Sequence, residues 1–150
     1  GGFQQIMANF AWERLLMALG AIGAMDRLIE VSVAYAKERQ AFGRPIGSFQ
    51  AIRHKIAMMA TRTEASRAFA YDTLRRFHEG EVVVREVSMS KLDSQRALVD
   101  IADEAIQIHG GYGYMREYEV ERALRDARLG PIGGGTDEIM MEIIGKTYGL

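Results

Sequence analysis

Three tracts of this 150-residue chain carry residue types and spacings that could do chemistry. The first, Gln107-Ile108-His109-Gly110-Gly111-Tyr112-Gly113-Tyr114, closes a helical pattern with two adjacent glycines and a third shortly after. One glycine in the left-handed conformation is enough to stop a helix. The others remove side chains where backbone must lie close to something else. The tract is not a lysine-bearing phosphate loop, because no strand precedes it and no lysine follows. The second tract is Arg39-Gln40-Ala41-Phe42-Gly43, followed by Gln50. An arginine offers paired donors in a planar fork that suits phosphate oxygens, although alone Arg39 also reads as a solvated charge near a helix end. The third tract runs from Pro131 to Met140 and sets Gly133, Gly134 and Gly135 before Thr136, Asp137 and Glu138. Thr136 is a natural N-cap, and the free amides beyond such a cap can meet an anion.

The elements that must position these tracts are helical nearly throughout, with only 2 prolines in the chain. A first helix is predicted over residues 7–37, where Leu15, Leu19, Ile22, Met25, Ile29 and Val33 recur at steps of three and four. Its segment 15–25 is apolar all round, as in a helix buried on several sides. Gly43, Pro45 and Gly47 mark a turn. Ser48 is the expected N-cap of a second helix that ends at Gly80, with Phe49, Ile52, Ile56, Met59, Phe69 and Phe77 facing inward. A third helix over 83–109 carries Val87, Leu98, Ile101, Ala105 and Ile108, and a shorter one follows near 117–128. The last helix starts at Thr136, with Asp137 and Glu138 in its first turn and Lys146 near its end, the charge order that complements the helix dipole. Long helices joined by short turns predict an all-α fold, an up-down four-helix bundle of antiparallel helices with additional short C-terminal helices.

Composition narrows the functional classes. The 19 basic and 20 acidic side chains nearly cancel, to a net charge of -1, so electrostatics gives no case for binding nucleic acid or an anionic membrane surface. There is no cysteine, hence no disulfide, thiolate metal site or cysteine nucleophile. His54, His78 and His109 lack metal-ligand spacing, and no metal is expected. The longest apolar run, residues 15–25, is flanked by Arg14 and Asp26 and is shorter than the roughly 20 residues a membrane span needs.

Taken together and in order, the three tracts resemble the C-terminal helical domain of the acyl-CoA dehydrogenases, flavoenzymes that desaturate acyl-CoA thioesters between the α and β carbons. The resemblance covers essentially the whole chain. It implies that residues 1–150 form that domain, with an N-terminal helical domain and a middle β-domain lying outside this chain, so that the chain alone is not expected to be a competent enzyme. It also implies FAD as cofactor, an electron-transfer flavoprotein as partner, and a homo-oligomer arranged as a dimer of dimers. A bacterial cytoplasmic or mitochondrial matrix location would follow. Two alternatives share the bundle: an acyl-CoA oxidase-like flavoenzyme, and a non-catalytic helical domain used for oligomerisation or binding.

Desaturation requires a base for the α-proton, and a carboxylate can serve if burial raises its pKa and its placement is fixed. Most members of the family carry a glutamate just before the Gly-Thr of the last helix, where this chain has Gly134. A minority, including the isovaleryl-CoA and long-chain types, carry it on the first helix in a Glu-Arg-Leu context, and this chain reads Trp12-Glu13-Arg14-Leu15-Leu16. The resemblance therefore points to Glu13 as base, although glutamate in a helix's first turn is by itself an ordinary dipole partner. Trp12, Leu15 and Leu16 suggest a partly desolvated setting. By the same resemblance Arg39 reaches the FAD pyrophosphate of a neighbouring subunit, and Phe42 and Gln50 line that site. Gln107, Ile108, His109, Gly110 and Gly111 wrap its adenine side, while Thr136 and Glu138 contact the cofactor. Arg14, Gly134 and Gly135 border the acyl thioester, where absent side chains leave room for substrate and for a backbone N–H donor to its carbonyl.

Overall fold

The computed structural model describes residues 2–150, with side chains from residue 9 onward. Five helices make up the fold: α1 (Gly2–Glu38), α2 (Gln50–His78), α3 (Val84–His109), α4 (Glu119–Ala127) and α5 (Asp137–Lys146). Between α1 and α2 lies a small antiparallel ribbon, β1 (Gln40–Ala41) with β2 (Arg44–Pro45), and then a 3-10 turn over Ile46–Ser48. A second 3-10 turn, Gly110–Tyr114, follows α3. None of these helices is long and apolar enough to cross a membrane. The all-α expectation holds.

α3 is the central element and packs against each of the other four helices. Its inward stripe is Val87, Leu98, Ile101, Ala105 and Ile108, the residues its spacing predicts, and all are buried. From α1 it meets Ala18, Ala21, Ile22, Met25 and Leu28, where alanines let the helix backbones approach closely. α2 presents a different face from the one predicted. Met59 is buried, but Phe49, Ile52, Ile56, Phe69 and Phe77 are only half-buried. Thr63, Ser66, Ala70 and Thr73 occupy the interior line instead. Their hydroxyls do not go unpaired: Thr63 donates to the Met59 carbonyl at 2.8 Å and Thr73 to that of Phe69 at 2.9 Å, while Ser66 donates to Asp93 at 2.6 Å. Small side chains bring α2 in close, and the larger apolar ones flank the seam.

Three other expectations are corrected. Ser48 does not cap α2; it ends the 3-10 turn and its hydroxyl donates back to the Pro45 carbonyl at 2.7 Å, leaving Phe49 at the cap without a side-chain bond. α4 starts at Glu119 rather than 117, because Tyr118 is extended (φ -102, ψ 127). The segment 15–25 is not enclosed on all sides, since Leu16, Gly20 and Gly23 form an exposed line along α1. At the last helix the sequence reading holds: the Thr136 side chain accepts from the Ile139 N–H at 3.3 Å, and Gly80 ends α2 region at φ 81, its N–H bonded to the Phe77 carbonyl.

Candidate functional site

Two groups of side chains emerge, one beside residues 13–17 of α1 and one at its C-terminal end. The first gathers around the glycine loop before α5. Gly134 and Gly135 adopt φ of 66 and 101, backbone that side-chain-bearing residues rarely adopt. Space forbids side chains as well as torsion: a Cβ on Gly134 would stand 2.6 Å from the Met17 sulfur, and one on Gly135 would stand 2.8 Å from the Met140 methyl. Part of the room expected for substrate at these glycines is therefore occupied by Met17 and Met140.

Cations from two helices grip this loop. The Arg14 Nε donates to the Gly134 carbonyl at 3.0 Å, and the Lys91 Nζ donates to the next carbonyl, that of Gly135, at 2.6 Å. Burial lowers the Arg14 guanidinium from its ordinary value, and Glu13 opposes the shift. Burial also pulls the Lys91 ammonium below the usual lysine value; Asp137 pushes it back up and Arg14 pushes it further down. Asp137 is itself 1% exposed and is bonded by the Arg96 Nε.

Glu13 lies one residue from Arg14 on α1, and its carboxylate accepts from the Asn9 side chain at 2.8 Å. It is exposed, as are its neighbours Trp12 and Leu16, at 41% and 46%. The desolvated setting expected for it is not supplied within this chain. Thr136 and Glu138 stand at the start of α5 beside the same loop. The Glu138 carboxyl is held below the usual carboxylate range by its own backbone N–H, then by the Thr136 hydroxyl, with Arg96 and Arg128 adding to the effect.

The second group lies where α1 and α3 end. Tyr35, Arg39, Ile46, Ile108, His109, Gly110, Gly111, Tyr112 and Met115 line an open cleft of about 520 Å³. The His109 ring stacks on Tyr35 with centroids 4.2 Å apart, and its Nδ1 lies 2.7 Å from the Ala105 carbonyl. The Tyr35 hydroxyl donates to the His109 carbonyl at 3.2 Å. The Arg39 guanidinium sits 5.5 Å above the Tyr112 ring and enters no ion pair among the described residues. Gly110 turns the chain at φ 60. Gly113 permits a close approach, since a Cβ there would fall 2.6 Å from the Ile106 carbonyl oxygen. Gln107 is exposed at the rim and Ile108 is buried behind the cleft. Phe42, at the tip of the ribbon, is 94% exposed and holds φ 53. A bulky aromatic in that conformation is strained. Gln50 is exposed at the first residue of α2.

The chain thus brings Arg39, Phe42, Gln50 and residues 107–111 to one end and Glu13, Arg14, Gly134, Gly135, Thr136 and Glu138 to the other. From Arg14 to Tyr35 along α1 is roughly 30 Å, at about 1.5 Å per residue. Sequence reasoning missed Lys91, Tyr35, Tyr112 and Asp137. For Lys91 a signal existed, because it falls on the core stripe of α3 four residues after Val87 and seven before Leu98.

Residues 1–149 match the protein family described as acyl-CoA dehydrogenase, C-terminal domain. An acyl-CoA dehydrogenase of Bacillus subtilis is 45% identical over 145 residues, covering 97% of this chain and 38% of its own length. Rice (Oryza sativa subsp. japonica) mitochondrial isovaleryl-CoA dehydrogenase is 41% identical over 97% of this chain and 36% of its own. Among solved structures, a probable acyl CoA dehydrogenase from Mycobacterium abscessus superposes with a TM-score of 0.94 at 44% identity, covering 97% of this chain and 39% of that one. The chain spans less than two fifths of each of these proteins.

Proposed function

Since this chain belongs to the acyl-CoA dehydrogenase family as its C-terminal domain, we propose that it supplies the base and part of the FAD site of an enzyme desaturating an acyl-CoA thioester. The observation that carries this reading is the meeting of the Glu13-Arg14 turn of α1 with the glycine loop, through Arg14 and the Gly134 carbonyl. Glu13 takes the α-proton as a carboxylate. Gly134, at the position where most of the family place that base, has no side chain to do so.

The residues present fit FAD. Arg39 offers a guanidinium without an ion-pair partner among the described residues, beside a cleft whose floor includes the bare backbone of Gly110 and Gly111. Phe42 projects an exposed ring from a strained backbone, and Gln50 stands nearby on α2. Bound there, FAD would supply the acceptor for the hydride that leaves the substrate β-carbon as the α–β double bond forms. Thr136 and Glu138 border the cofactor from the start of α5, and Arg14 with the Gly134–Gly135 backbone borders the thioester. The roughly 30 Å between the two groups supports a cofactor shared between copies of the chain, Arg39 of one completing a site built around Glu13 of another, as in a dimer of dimers. An electron-transfer flavoprotein would carry the electrons onward.

The test is anaerobic flavin reduction by acyl-CoA in a full-length enzyme carrying this domain. Glu13→Gln keeps shape and hydrogen bonding and removes the proton acceptor. A rate near wild type would remove Glu13 from the role of base.

A further inference from the structure

Lys91 is the largest fully buried side chain among the described residues, at 0% exposure, and shares its helix face with the buried Val87, Ser88, Ser94, Gln95 and Leu98. A charge placed there costs free energy that an apolar residue of similar size would not. Its ammonium compensates through one short bond to the Gly135 carbonyl and through the nearby Asp137 carboxylate. What it holds is the middle of a loop whose edges are closed by backbone bonds, the Gly133 N–H to the Leu129 carbonyl at 2.8 Å and the Asp137 N–H to the Pro131 carbonyl at 3.0 Å. Three successive glycines, Gly133 to Gly135, have no side chains to pack, and glycine is the residue with the most conformational freedom. Arg14 and Lys91, from α1 and α3, each bind one of two adjacent carbonyls in this run. Arg14 is partly open to solvent, so Lys91 is the fixed member of the pair.

We propose that Lys91 is a positioning residue, whose buried ammonium anchors the Gly135 carbonyl and so sets the glycine loop against Arg14 and Glu13 for the proton abstraction. This rests on the assignment of Glu13 as base. Lys91 itself touches neither base nor substrate; it acts through the loop.

Lys91→Met keeps an unbranched side chain of similar size and removes the donor. Two measurements separate anchoring from catalysis. In the 150-residue chain, the amide order parameters of Gly134 and Gly135 are expected near about 0.85 in wild type and below about 0.6 in Lys91→Met, with α3 staying rigid. In the full-length enzyme carrying this domain, flavin reduction is expected to fall about tenfold to a hundredfold at retained FAD content, the scale of a small misplacement of reacting groups. Unchanged order parameters overturn the proposal whatever the activity. A loosened loop with an unchanged reduction rate overturns the positioning role. If Lys91→Met does not fold, the wild-type order parameters decide: a loop already below about 0.6 with Lys91 in place sinks the idea, and a rigid one supports it. Failure of the Glu13 assignment shows separately, as normal flavin reduction in Glu13→Gln.

Discussion

Arg14 and Gly134, 120 positions apart in the chain, are joined by a 3.0 Å hydrogen bond from the guanidinium to the backbone carbonyl. The bond ties the turn of α1 that bears Glu13 to the loop where the commoner base of the family would stand. The proposed base and position 134 thus lie on the two segments that this bond joins, which makes an exchange of the carboxylate between them a direct experiment.

Glu13→Gln in a full-length enzyme carrying this domain should lower flavin reduction by about a hundredfold to ten-thousandfold, the usual worth of a general base. Adding Gly134→Glu should recover part of that loss. Recovery will be incomplete, because position 134 holds φ 66 and its Cβ would meet the Met17 sulfur at 2.6 Å. Stopped-flow absorbance of the flavin under anaerobic conditions reads both outcomes.

The isolated 150-residue chain should bind FAD weakly or not at all. Arg39 and the cleft at Gly110 lie at the far end of α1 from Thr136 and Glu138, so one copy offers only part of the cofactor's contacts while the entropic cost of binding remains. A yellow chain that keeps stoichiometric FAD through gel filtration would contradict this.

The exposed line of Leu16, Gly20 and Gly23 should mediate self-association, since two positions without side chains beside an exposed leucine let a second helix approach closely. A Cβ added at Gly20 meets nothing within 4 Å in the monomer. Gly20→Gln should leave the chain folded, and an alanine there should even stabilise it by about 0.5–1 kcal/mol through helix propensity. Close approach of a second helix would not tolerate the longer side chain. Sedimentation velocity should show wild type associated at micromolar concentration and Gly20→Gln shifted toward monomer.

Glu86 should set part of the acid sensitivity. Burial alone would push its carboxyl up, but the hydrogen bonds from Arg85 and its own backbone N–H, with the charges of Arg85 and Arg76, hold it below its ordinary value of 4.5. A carboxyl with a folded pKa below its unfolded one binds fewer protons when folded, so its stabilisation is present above about pH 4.5 and is lost as pH falls further. Thermal midpoints should drop on acidification below that point, and Glu86→Gln should flatten the drop.

Much of this architecture was readable from residue types. Thr136 followed by Asp137 and Glu138 announces a helix start because a hydroxyl and first-turn acids serve the free amides there, whatever surrounds them. The stripe of α3 was equally plain, being a local periodicity. What depended on neighbours was not. Ser48 looked like a cap, but its hydroxyl found the Pro45 carbonyl first, inside a 3-10 turn that brings Gly47 close to the Ala36 carbonyl. The interior of α2 is set by how close it must come to α1 and α3, which favours Thr63, Ser66 and Thr73 over the larger residues its pattern offered. In the candidate site the glycines and Arg39 drew attention by type, whereas Lys91 stood out only by its place on a core stripe, a signal whose meaning depends on the Gly135 carbonyl at its tip.

The distance along α1 between the two groups has a consequence for mixed populations of this protein. If each working centre takes Glu13 from one copy and Arg39 from another, a lesion at either end spoils a different centre. Pairing a copy defective only at Glu13 with a copy defective only at Arg39 would concentrate both injuries in one centre and leave the other whole. Two inactive variants could thus complement each other when assembled together, and inheritance of such lesions would not follow the rule of one damaged copy, one damaged centre.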